Sequence, residues 1–169
     1  MARIPLLLAL ISLQASCQCA DETPDRALLT GRAILPAGTS IEGPPVGKHV
    51  DSPVNGVDLP LSGVPLQGFS SLLPAPGQHW LALQDNGFGG RLNSPDYPLR
   101  WYELSVDLEA DKPHGGPVKV ISHTDLTDPD EHVPFKLGAD NTTRRLHGGD
   151  FDPESFVQLD DGTFWVGEE

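Results

Sequence analysis

Glycine and proline interrupt this chain too often for long regular elements. With 18 glycines and 17 prolines among 169 residues, about every fifth position breaks a helix or weakens a strand. A helical bundle, a coiled coil and a doubly wound α/β domain all need longer uninterrupted runs, so none of them fits. What remains is a turn-rich protein of short strands, or a partly disordered chain.

Charge narrows the partners. Eleven Lys and Arg against 24 Asp and Glu give a formal charge of −13. There is no basic surface to displace counterions from phosphates, so nucleic acid is excluded, and an anionic membrane surface is disfavoured for the same reason. An acidic excess of this size fits solubility, and it also fits carboxylates gathered to hold a hard cation such as Ca²⁺.

The N-terminus reads as a targeting segment. Arg3 precedes the apolar run Ile4 to Leu13, and small residues follow at Ala15, Ser16 and Ala20 before charge resumes at Asp21. This is the order of a secretory signal peptide over residues 1–20, and the run is too short to span a bilayer. The expected mature chain, residues 21–169, is therefore exported to a periplasmic or extracellular space without a transmembrane segment. Cleavage after Ala20 would remove both cysteines, Cys17 and Cys19. A lipid anchor on Cys17 is the minor alternative, because Ala15-Ser16-Cys17 resembles the end of a lipoprotein box with Gln14 out of pattern.

Within the mature chain, Ala27 to Leu35 reads as a strand and Gly38 to Pro65 as loop or very short strands. Beyond Gly68, short apolar runs at 69–73, 80–83, 99–108, 118–122, 156–159 and 164–166 are separated by turn clusters such as Pro74-Ala75-Pro76-Gly77 and Asp160-Asp161-Gly162. The clearest strand starts at Trp101, where Tyr102, Leu104, Val106 and Leu108 alternate with Glu103, Ser105 and Asp107. Gly68 to Trp80 also lies without gaps on Pro153 to Trp165, matching Ser70 to Ser155, Gly77 to Gly162 and Trp80 to Trp165. A recurring hairpin with an aromatic anchor is what a β-propeller blade looks like in sequence.

Six segments in order carry a family resemblance: Val64 to Ser70, Asp85 to Gly89, Asn93 to Asp96, Asp128 to Asp130 followed by Val133-Pro134-Phe135, Gly149 to Phe156, and Asp161 to Glu169. Together they resemble the N-terminal portion of the phytase-like family, also described as esterase-like activity of phytase, over most of residues 27–169. The resemblance implies an exported all-β, propeller-like hydrolase of phosphate or other esters. A closed ring needs at least about four blades and the mature chain could supply about three, so the propeller is expected to be incomplete in this chain.

The candidate chemistry lies in carboxylates. Asp150, Asp152 and Glu154 alternate along one extended segment, which would turn three oxygen donors to one side and Phe151 to the other. Glu168 and Glu169 follow an aromatic strand, and Asp85 with Asn86 holds the comparable place after Trp80. Asp150, Asp152, Glu154, Glu168, Glu169 and Asp85 are thus the expected metal ligands. Glu154, Asp152 and Arg145 are the expected catalytic residues, with Arg91, Arg144 and Arg145 available to clamp a phosphate. Gly68-Phe69-Ser70-Ser71-Leu72 lacks the last glycine of a nucleophile elbow, and the six histidines show neither HxH nor HExxH spacing. The expected partner is a small ester or phosphoester. The alternative is a non-catalytic extracytoplasmic propeller module with a structural ion.

Overall fold

The computed structural model describes residues 28–51, 53, 56–108, 115–138 and 142–169. The signal-peptide segment and both cysteines lie outside them. Among the described residues the protein is all-β, with nine strands and no helix: β1 (Ala33–Ile34), β2 (Ser40–Ile41), β3 (Val64–Pro65), β4 (Phe69–Ala75), β5 (His79–Gln84), β6 (Arg100–Val106), β7 (Gly116–Asp125), β8 (Pro153–Gln158) and β9 (Phe164–Glu168). No helix among them is long and apolar enough to cross a membrane.

Strands β4 to β7 pair antiparallel in chain order, the four-stranded meander of one propeller blade, and β1 adds in parallel at the β7 edge. The β8–β9 hairpin begins a second unit and lies against β4 and β5. The arrangement is propeller-like and incomplete in this chain. Strand β4 is an edge, which lets Pro74 sit within it, because the missing N–H faces no ladder partner on the open side.

The alternation seen around Tyr102 decides the core. Tyr102 and Leu104 are buried with Ala82 and Leu66 on one face of the sheet, where Phe69, Val106, Val118 and Val120 pack against them. Each fully buried large side chain contributes about 1.5–3 kcal/mol. Trp101 points to the other face and meets Phe156 and Phe164 of the second hairpin, with ring centroids 6.1 and 4.2 Å away. A second cluster, Val46, Val64 and Tyr97, holds the long loop segment onto the sheet.

Two expectations change in detail. The strand expected over Ala27 to Leu35 is only Ala33–Ile34, and Leu28 and Leu29 are exposed, because β7 offers partners only at Gly116 and Pro117. The two matching hairpins exist, each with a glycine of positive φ in its turn, Gly77 and Gly162. They do not superimpose without a gap: Trp80 faces Pro74, whereas Trp165 faces Val157, because the second turn is longer.

Candidate functional site

Both hairpins carry a β-bulge near their first strand's start. In β4 the extra residue is Ser70, and in β8 it is Glu154, since Pro153 faces Glu168 while Ser155 faces Gly167. The extra residue breaks the alternation. Pro153 and Phe156 are both buried although three residues apart, and Glu154 is turned out to solvent between them.

The bulge brings carboxylates together at one end of the fold. Asp152, Glu154 and Glu169 each place one oxygen within 4.8 Å of the others. The Glu169 backbone N–H donates to the Asp152 carbonyl at 3.2 Å, which fixes the two chain ends side by side. Ca²⁺ takes oxygen ligands at about 2.3–2.6 Å, so oxygens at this mutual spacing fit around one such ion. An all-carboxylate donor set likewise suits a hard cation better than zinc.

Asp85 approaches the same place from the end of β5. Burial raises its pKa above the ordinary carboxylate value, and the charges of Asp152 and Glu154 add to that, against the opposing Gly87 N–H. That N–H donates to Asp85 Oδ1 at 2.8 Å. The carboxylate lies directly over Gly68, where a Cβ would come within 2.3 Å of it, and Gly68 has φ +62°, so no other residue fits there without strain.

Asn86 is the residue that the sequence did not single out for this role. Only 3% exposed, it donates from Nδ2 to Asp152 Oδ2 at 2.6 Å and from its backbone N–H to Oδ1 at 3.2 Å. Its own Oδ1 accepts the Gly89 N–H at 2.9 Å. The carboxylate is therefore held in one orientation by a residue 66 positions away, which no local spacing announces. Gly148 passes so close to the Asn86 carbonyl that a Cβ would come within 2.0 Å of it.

Other expected residues fall elsewhere. Asp150 is buried and does not join the three grouped carboxylates: its Oδ1 accepts the Gly138 N–H at 2.8 Å and its Oδ2 the His147 N–H at 2.9 Å, bracing the loop before β8. Glu168 alternates away from Glu169 and lines an apolar hollow with Val166. Arg145 Nε lies 2.9 Å from Asp125 Oδ2, and the other oxygen of that carboxylate accepts from Arg100 Nε at 2.5 Å. Arg144 pairs with Asp128 at 2.5 Å. Arg91 is exposed on the loop after β5.

A buried polar hub supports this end of the sheet. Gln84, fully buried at the end of β5, donates from Nε2 to the Pro65 carbonyl at 2.8 Å and the Gln67 carbonyl at 3.0 Å and contacts Tyr97 Oη. Tyr102 donates to Gln84 Oε1 at 2.8 Å and Tyr97 to the Pro65 carbonyl at 2.7 Å. Burial pushes both phenols up, Tyr102 to about 12, so both remain protonated donors.

No curated protein and no solved structure matches the chain at a significant level. A family model described as esterase-like activity of phytase matches residues 64–169, the C-terminal part of the chain, which holds β3 to β9 and every carboxylate described above. The stretch before Val64 lies outside the match, so the resemblance does not reach back to Ala27. The chain belongs to the phytase-like family.

Proposed function

We propose that the chain is an exported hydrolase of phosphate or other esters that works with a bound Ca²⁺ ion. Family membership supports a hydrolase, and the observation that carries the metal reading is the convergence of Asp152, Glu154 and Glu169 within 4.8 Å. Export rests on the order of charge, apolar run and small residues over positions 1–20.

Asp152, Glu154 and Glu169 would hold the ion, with Asp85 beside them and Asn86 keeping Asp152 aimed. When bound, such an ion lowers the pKa of water and offsets negative charge on the substrate. Glu154, turned out on its bulge, and Asp152, held by Asn86, would accept the proton of the attacking water.

The test is hydrolysis of phytate and of p-nitrophenyl esters by the full chain, with Ca²⁺ and with a chelator. Ca²⁺-dependent turnover that is lost in Glu154→Gln supports the reading. Turnover of neither substrate, with Ca²⁺ still raising the melting temperature, would replace it with a non-catalytic module that binds a structural ion.

A further inference from the structure

An apolar hollow of about 310 Å³ opens beside the second hairpin. Leu99, Leu126, Leu146, Phe151, Pro153 and Val166 line it. This is within the range of small-ligand sites, about 300–1,000 Å³. Its residues alternate with the carboxylates: Phe151 and Pro153 flank Asp152, and Glu168 precedes Glu169. The same two strand ends thus present an apolar surface on one side and the grouped oxygens on the other. Where Glu168 passes into Glu169, one residue step of about 3.8 Å separates them.

Charge indicates what such a hollow accepts. Glu168 is the sole charged side chain in its wall, and the grouped carboxylates lie next to it. Of the arginines at this end, Arg100 and Arg145 face Asp125, and Arg144 faces Asp128. A charged group finds no cationic partner in this lining, while an uncharged hydrocarbon chain gains apolar contact.

We propose that this hollow is the acyl pocket of the hydrolytic site, which makes the preferred substrate a carboxylic ester with a short apolar chain; the proposal rests on the hydrolase reading above. A chain reaching into the hollow leaves its ester group at the strand ends that carry Asp152 and Glu169. Val166, half-exposed in the wall, sets the room available.

Binding and turnover are read separately. The full chain is titrated with the non-hydrolysable amides 4-nitroacetanilide and N-(4-nitrophenyl)butanamide, and turnover is measured on p-nitrophenyl acetate and butyrate. The expected result is about tenfold tighter binding of the butanamide, with a similar preference in kcat/KM for butyrate, because each added methylene in an apolar pocket contributes at least that much. Val166→Trp is expected to erase both preferences, and Val166→Ala to keep them. Equal binding of the two amides, or a preference that survives Val166→Trp, would overturn the acyl pocket and leave the hydrolase reading intact. Turnover of neither ester while phytate is still hydrolysed would overturn the acyl pocket alone, and turnover of none of the three would overturn the hydrolase reading with it.

Discussion

Asn86 and Asp152 are joined by two hydrogen bonds, Nδ2 to Oδ2 at 2.6 Å and backbone N–H to Oδ1 at 3.2 Å. This couples the loop after β5 to the start of β8 and fixes the direction in which one grouped carboxylate points. Replacing the donor while keeping the shape is therefore informative. Asn86→Asp sets a carboxylate against a carboxylate and is expected to lower stability by about 1–3 kcal/mol in urea unfolding. It is also expected to weaken Ca²⁺ binding about 10–100-fold by calorimetry, the usual cost of losing a group that orients a ligand.

Asp85 should act in the opposite sense on stability. Its pKa is raised in the folded protein by burial first and then by Asp152 and Glu154, so the folded state binds the proton more tightly than the unfolded state. Stability from this group accordingly rises as pH falls through the folded value and is lower above it. Asp85→Asn retains an oxygen to accept from Gly87 and removes the charge. Without Ca²⁺ it is expected to raise the melting temperature at pH 7 and to flatten the rise in stability that the native chain shows as pH falls toward the ordinary carboxylate range. An unchanged melting temperature and pH profile would show that Asp85 carries no such strain.

Asp128 titrates the other way. The Arg144 guanidinium holds its carboxyl below the ordinary value, with the Val133 and His132 N–H groups adding to the effect. Its contribution is present at neutral pH and lost as pH falls through the folded value. Because these bonds fold the loop between β7 and β8 onto itself, Asp128→Ala is expected to speed proteolytic cleavage within residues 128–138 at neutral pH. The native chain should become equally sensitive only in acid.

Trp101 links the blade to the second hairpin through Phe156 and Phe164. Trp101→Ala is expected to cost about 2–4 kcal/mol, somewhat below the value for a fully buried tryptophan. Since β8 and β9 carry Glu154 and lead into Glu169, the same substitution should weaken Ca²⁺ binding, whereas a substitution at exposed Leu92 should not. Thermal unfolding and calorimetry on the two variants check both parts.

The legible part of this protein was its local pattern. Period-two alternation from Trp101 gave β6 and its buried face, and Gly77 and Gly162 marked hairpin turns because each adopts a positive φ there. Local pattern over-extended β1, since Leu28 and Leu29 look like strand residues but have no partner edge to pair with. At the site, alternation expected Asp150, Asp152 and Glu154 on a common side, whereas Asp152 and Glu154 are grouped through the bulge that breaks the alternation, and Asp150 turns its oxygens to Gly138 and His147. The Asn86 anchor and the Gln84 hub join residues far apart in sequence, and only the packed structure reveals such partners.

The grouped oxygens come from Asp152 before the bulge, from Glu154 at the bulge and from Glu169 after the next strand, while Asp85 beside them comes from 67 residues upstream of Asp152. The three grouped oxygens belong to one hairpin, but Asn86 and Asp85 reach them only after the blade and that hairpin have met. A cation that recognises the closed arrangement therefore has little to hold in a partly ordered transition state. It should slow unfolding while leaving the refolding rate almost unchanged, so that its main effect is on the lifetime of the native chain.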